Sequence, residues 1–232
     1  GSGIGRATAA RIAAEGGTVV AVDISAERLA ELKAEHPAAI TVTGDITKPD
    51  DVAAIVAAAN GRIDGLANVA GVMDDMTPLH EVTDAVWERV FSVNVDGMFR
   101  LTRAVLPTML AAGRGSVVNV ASEAALRGSA AGLAYTASKH AVIGLTKTGS
   151  LEYAGQGIRV NAVLPGAIDT PMFRAALEAH GFEESEFASA LSRFNRIGKP
   201  EEVCEASAWL CSDAASYVTG HSLAVEAGYL TR

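Results

Sequence analysis

The chain has 232 residues, 49% hydrophobic and 20% charged, which supplies a sizeable core and reads as one domain, residues 1–232. A formal net charge of −8 without a basic run argues against a nucleic-acid surface, whose affinity rests on clustered Lys and Arg. No apolar run approaches the about 20 residues that span a bilayer, and the two cysteines, Cys204 and Cys211, read as small buried hydrophobes rather than a metal or redox pair, so no metal is expected and a reducing cytoplasm is the default compartment.

In chain order, Gly1-Ser2-Gly3-Ile4-Gly5 opens as a glycine-rich loop running directly into helical residues 9–15. Residues 18–22 are an apolar strand ending at Asp23. A helix follows over 26–35, with Ser25 as its cap. Next come a strand at 40–43, a helix at 49–60 with Pro49 in its first turn, and a strand-like 66–70. The stretch 83–112 predicts a long amphipathic helix that Pro107 should kink or end. Residues 116–122 form a buried strand, 134–153 a helix with the stripe Ala137, Ala141, Val142 and Leu145, and 159–164 another strand. The remainder reads as an irregular 166–196, a helix at 200–211 and a strand at 222–225. This unbroken β/α alternation predicts a single parallel sheet with helices on both faces and right-handed crossovers.

Two of these elements carry chemistry. Tyr135 and Lys139 lie four apart on one helix, so phenol and ammonium share a face. A neighbouring cation favours the phenolate and should bring a Tyr with a reference pKa of about 10 toward neutrality. Ser122 ends the preceding strand at the sheet's carboxyl edge, where open α/β sheets bind ligands. Its hydroxyl can cap the turn there, or donate to a carbonyl that the phenol protonates.

Together these residues resemble the short-chain dehydrogenase/reductase family, over essentially the whole chain. Gly1-Ser2-Gly3-Ile4-Gly5-Arg6-Ala7 is similar to the tail of its glycine-rich cofactor motif, and Asn68-Val69-Ala70-Gly71 to its Asn-Ala-Gly motif, with Val in the second place. Ser122, Tyr135 and Lys139 match the catalytic Ser and Tyr-x-x-x-Lys, Asn94 the Asn of a tetrad, and Pro165-Gly166 with Thr170 the segment closing over the nicotinamide.

The resemblance implies a doubly wound Rossmann-type α/β fold whose first strand, with the start of the glycine motif, is expected upstream of Gly1. It implies Tyr135 as general acid for ketone reduction and base for alcohol oxidation. Lys139 would tune Tyr135 and hold the nicotinamide ribose, Ser122 would orient the carbonyl, and Asn94 would position a water behind Lys139 or merely kink its helix. Ile168 joins Pro165, Gly166 and Thr170 at the nicotinamide. Asp45, with Ile46, resembles the pair at the adenine, and Asn68, Ala70 and Gly71 would line the adenosine side, Asn68 equally able to brace strands.

Asp23 at its strand end can accept from the adenosine ribose hydroxyls and repel a 2′-phosphate, with no Arg or Lys at Ile24 or Ser25 to offset it, so NAD is expected over NADP. That preference tilts the expected direction toward alcohol oxidation. The function expected is interconversion of a small-molecule secondary alcohol and ketone. A 3-oxoacyl-thioester reductase and a non-catalytic nucleotide-binding module are the alternatives.

Residues 172–195, with Met172, Phe173, Leu177, His180, Phe182, Phe187 and Phe194, should cover the substrate, and Glu183, Glu184 and Glu186 should either discourage an anionic substrate or face solvent. Glu123 could bind a substrate hydroxyl or point to water. Arg127 reads as structural or surface. Val95, Met98, Leu101 and Val105 on one helix and Ala141, Leu145, Thr148 and Leu151 on the other predict a two-fold interface. The terminal Tyr229 to Arg232 is expected to form a second, giving a homotetramer with a dimer as fallback.

Overall fold

A computed structural model describes residues 1–128, 131–181, 183–184 and 192–231. Strands and helices alternate as α1 (Gly3–Ala14), β1 (Val20–Asp23), α2 (Ala26–Glu35), β2 (Ile40–Thr43), α3 (Pro49–Ala58), β3 (Gly65–Asn68), α4 (Asp84–Phe91), α5 (Met98–Ala112), β4 (Gly115–Val120), α6 (Leu133–Tyr153), β5 (Ile158–Pro165), α7 (Pro171–His180), α8 (Pro200–Cys211) and β6 (Ser222–Val225). Local signals act where expected: the Ser25 hydroxyl accepts from Arg28 N at the start of α2, and Pro49 sits in the first turn of α3.

All strand pairs are parallel, but they form two ladders where one sheet is predicted: β1 with β2, and β3-β4-β5-β6 in that order. Residues 1–19 contribute α1 and no strand, so one edge of β1 and one edge of β3 lack a strand partner among the described residues. The ladders nevertheless share one core. Val22 and Val42 pack with Ile55 of α3, Val105 and Met109 of α5, Val117 of β4 and Val160 of β5. On the opposite face Val118 and Val163 pack with Val203 and Leu210 of α8 and with Ile4 of α1. Adjacent strand residues point to opposite faces, so Val117 and Val118 serve different layers, and helices cover both. This is the doubly wound architecture.

Three expectations need correction. The long helix is cut by a π-helical segment, Ser92–Gly97, between α4 and α5. Pro107 sits inside α5, which runs on to Ala112 and closes at Gly113 with φ +65. Pro107 and Arg103 are both exposed, so water can satisfy the carbonyl that the proline leaves without a partner. Residues 171–180, expected irregular, form α7, whose first turn is capped by the Thr170 hydroxyl accepting from Phe173 N.

Met98, Leu101 and Val105, predicted at an interface, are instead buried in the chain's own core. Their helix turns Phe99 outward, and α6 exposes Thr148 and Leu151 while half-burying Ala141 and Leu145. A 3.6-residue stripe marks the inward face as readily as an outward one; only the packing separates them.

Candidate active site

The first two turns of α6 bring Tyr135 and Lys139 onto one buried face beneath the end of β4. Lys139 Nζ donates to the Val120 carbonyl at 2.9 Å and lies 5.4 Å from the centre of the Tyr135 ring. Ser122 stands two residues past that carbonyl. Its hydroxyl interacts with the Tyr135 phenol and also accepts from Ala124 N at 3.1 Å, so the capping and catalytic readings hold together.

The expected tuning of Tyr135 by Lys139 is not what the structure shows. Burial pushes the phenol up to about 12; the Ser122 hydroxyl opposes this, while the charges of Glu123 and Asp74 add to it. Burial likewise pushes the Lys139 ammonium down to about 8. Enclosure from water disfavours the phenolate, and the opposing influence comes from Ser122. The side chain is set up as an acid that holds its proton.

Asn94 is fully buried in the π-helical segment. Its Nδ2 donates to Val72 O at 2.9 Å and Ser138 Oγ at 3.0 Å, and its Oδ1 accepts from Val72 N at 2.8 Å. Both amide hydrogens are committed to tying the loop after β3 to α6. Asn94 is therefore a positioning residue, with only Oδ1 retaining acceptor capacity.

An open cleft runs along the carboxyl edge of the sheet. Ser122, Tyr135 and Lys139 line it with Ile4, Gly71, Pro165, Gly166, Ile168 and Thr170, uniting the predicted catalytic and nicotinamide-side residues. Met172, Phe173 and Leu177 of α7 form its apolar wall, as expected of a substrate cover. Phe194 lines a separate depression, and Glu183 and Glu184 face solvent. Phe182, Glu186, Phe187, Arg232 and the side chain of His180 lie outside the described residues.

Gly1, Ser2, Gly3, Gly5, Asp23, Asp45, Ile46, Asn68 and Ala70 lie outside the cleft walls. Gly3 has φ +48, and a Cβ on it would stand 3.0 Å from Thr170 Cγ2, which sets the α1 N-terminus against the nicotinamide-side segment. The Asp23 carboxylate ends β1 and accepts from Ser25 N at 2.8 Å. Burial acts to raise its pKa, and the Ser25 backbone N–H and the charge of Arg28 oppose this. Asp45 is also held low, chiefly by the Thr47 backbone N–H, and Ile46 packs against Gly97. Asn68 braces strands: Nδ2 donates to Asn119 Oδ1 and Thr102 Oγ1, both at 2.9 Å. Ala70 is exposed.

A nicotinamide dinucleotide fits this arrangement. The α1 N-terminus presents glycines to an anion, Asp23 stands at the strand end where a ribose would meet it, and Gly71 opens the space beside catalysis. A Cβ on Gly71 would lie 3.2 Å from Asn94 Oδ1 and 3.5 Å from Lys139 Nζ.

Sequence reasoning missed two residues. Asp74 accepts from Tyr135 N, a contact no local pattern shows. Arg28 reaches within 3.9 Å of Asp23 from the first turn of α2, one helical step beyond the positions considered for a 2′-phosphate. Cys204 and Cys211 are free, with thiols raised mainly by burial, and no group of metal-binding side chains occurs among the described residues.

The chain is similar to known proteins over nearly its whole length. A family profile described as enoyl-(acyl carrier protein) reductase matches residues 1–230. The 3-oxoacyl-(acyl-carrier-protein) reductase FabG of Thermotoga maritima is 41% identical over 98% of this chain and 93% of its own. The cis-4-hydroxycyclohexanecarboxylate dehydrogenase of Sinomonas cyclohexanicum is 41% identical over 98% and 92%. The crystal structure of levodione reductase superposes with TM-score 0.93 at 38% identity, covering 98% and 93%. Solved relatives hold either cofactor: a 3-ketoacyl-(acyl-carrier-protein) reductase from Brucella melitensis is complexed with NADH (34%, TM-score 0.91, 98% and 94%), and an actinorhodin polyketide ketoreductase variant with NADPH (34%, TM-score 0.94, 98% and 93%).

Proposed function

This chain belongs to the short-chain dehydrogenase/reductase family, and from that membership and the site's geometry we propose that it interconverts a secondary alcohol and a ketone, folded as one domain. The observation carrying this reading is the convergence of Ser122, Tyr135 and Lys139 on one wall of the cleft. A bound nicotinamide dinucleotide supplies or accepts the hydride. The Ser122 hydroxyl orients and polarises the carbonyl. The Tyr135 phenol, protonated at neutral pH, delivers its proton to the developing alkoxide oxygen. Lys139, anchored on Val120 O, keeps two ammonium hydrogens for ribose hydroxyls. Apolar α7 residues exclude water from the reacting carbon. A phenol that holds its proton is in the form that ketone reduction uses.

NAD(H) is the proposed cofactor, supported by Asp23 at the end of β1. Arg28 beside it is the feature that would admit NADP(H). The runner-up activity is reduction of a 3-oxoacyl thioester, supported by the Thermotoga relative. We further propose a homotetramer, with a dimer as fallback. Exposed Phe99 and Leu151 on α5 and α6 mark one contact, and light scattering at micromolar concentration tests it, a monomeric mass refuting both states. The cytoplasm is the proposed compartment, on the strength of two unpaired thiols; no helix among the described residues is long and apolar enough to cross a membrane. The activity is tested by following nicotinamide absorbance with cyclic ketones, acyclic ketones and a 3-oxoacyl thioester. Loss of the signal with all three, with NADH still bound, would leave only a nucleotide-binding module.

A further inference from the structure

Glu123 follows Ser122 directly and lines the same cleft. The residue is only 3% exposed, yet no hydrogen bond to the carboxyl is found among the described residues, and Oε2 is a buried oxygen without a partner. A buried polar group left unmatched is costly and uncommon, so its persistence requires a reason. The space around it is also built. Gly166 borders the carboxyl, and a Cβ there would stand 3.0 Å from Oε2 and 2.8 Å from Glu226 Cα, so a bulkier residue would displace one of them.

The charges nearby are Glu226 and Arg127. Glu226 Oε2 accepts from Leu230 N at 2.9 Å. Arg127 is engaged with Tyr229, donating to its carbonyl at 3.3 Å and stacking 4.6 Å over its ring. Glu226 is acidic and Arg127 is already engaged, so neither offers an anionic ligand a ready partner. Burial first, and Glu226 second, raise the Glu123 carboxyl to about 8 against the pull of Arg127, so near neutrality it is largely an uncharged acid that can donate and accept. Met73, Met172, Phe173 and Leu177 make the remaining wall apolar.

We propose that Glu123 is the specificity residue of this cleft: it hydrogen-bonds a second, uncharged hydroxyl on the substrate while Ser122 and Tyr135 engage the reacting oxygen, selecting hydroxylated ketones and diols over carboxylated ones. This rests on the oxidoreductase reading above.

The test compares cyclohexanone with the three ring isomers of hydroxycyclohexanone and with 4-oxocyclohexanecarboxylate. The parent enzyme is expected to favour at least one hydroxyketone over cyclohexanone by about tenfold or more in kcat/KM, and to rank the carboxylate last. Glu123→Gln, uncharged and able to hydrogen-bond, should hold that ratio within about threefold; Glu123→Met should bring it near unity with NADH affinity unchanged. A parent ratio near unity overturns the proposal without any variant. So does a Glu123→Met enzyme in which all substrates fall together, because a structural role lowers them equally. Calorimetric titration of cyclohexanediol against cyclohexanol gives a second readout independent of turnover. If no ketone is reduced but the diol still binds tighter to the parent and not to Glu123→Met, the oxidoreductase reading fails and the role of Glu123 stands.

Discussion

Tyr135 and Asp74 are joined across 61 positions of sequence by a 2.9 Å hydrogen bond, the Tyr135 backbone N–H donating to Asp74 Oδ2. Gly132, the residue at the N-cap of α6, has no side chain to satisfy the first turn, and Asp74 does so from the loop after β3. The same carboxylate stands at the positive end of the helix that carries the phenol and raises the phenol's pKa. One contact therefore fixes the position of Tyr135 and adds to the burial that raises its pKa.

Asp74→Ala should lower stability by about 1 kcal/mol, the usual consequence of losing a helix cap. Asp74→Asn keeps an acceptor but removes the charge, so its pH profile for alcohol oxidation should move to lower pH. Urea denaturation and the pH dependence of turnover check the two effects. An Asn variant with an unmoved profile would show that Asp74 acts on position alone.

Tyr135→Phe removes the transferable proton and should reduce turnover at least about 10²-fold while leaving NADH binding nearly intact. With the phenol near 12, alcohol oxidation by the parent should climb with pH through the alkaline range, because its base form is scarce, whereas ketone reduction should stay flat near neutrality. Turnover of the Phe variant within a few-fold of the parent would remove Tyr135 from the mechanism.

Cofactor preference turns on Asp23 and Arg28, whose Oδ1 and Nη1 lie 3.9 Å apart. The parent should prefer NADH, and Asp23→Asn should shift preference toward NADPH by removing the charge that repels a 2′-phosphate. Arg28→Ala in the Asp23→Asn background should reverse part of that gain. Side-by-side kinetics decide this, and a parent that already prefers NADPH contradicts the assignment.

Glu123 should make stability fall as pH rises. Its carboxyl titrates near 4.5 when unfolded and about 8 when folded, so below 4.5 both states are protonated and the stabilising contribution is complete. Between those values the unfolded state ionises and the folded one does not, and the contribution is lost as pH passes toward 8. Glu123→Gln cannot titrate, so the parent's Tm relative to this variant should drop from about pH 5 to about pH 8. Parallel Tm curves would mean that the carboxyl is ionised in the folded protein.

Much of this molecule is local in origin and was therefore legible in the sequence. The α2 and α8 helices and the β2 and β6 strands fall where periodicity and punctuation put them, because caps, prolines and apolar spacing act within a few residues. The neighbourhood of Tyr135 and Lys139 followed from helical geometry alone, and that of Ser122 from its place at a strand end. What the tertiary structure decided was everything set by distant partners or by burial. The stripe of Met98, Leu101 and Val105 became core rather than interface; Asn94 became a brace between Val72 and Ser138; and Arg28 came beside Asp23. The protonation of Tyr135, Lys139 and Glu123 belongs here too. A residue's type gives its ordinary pKa, but only packing determines how much water remains to stabilise its charge, and in this cleft that desolvation outweighs the neighbouring charges.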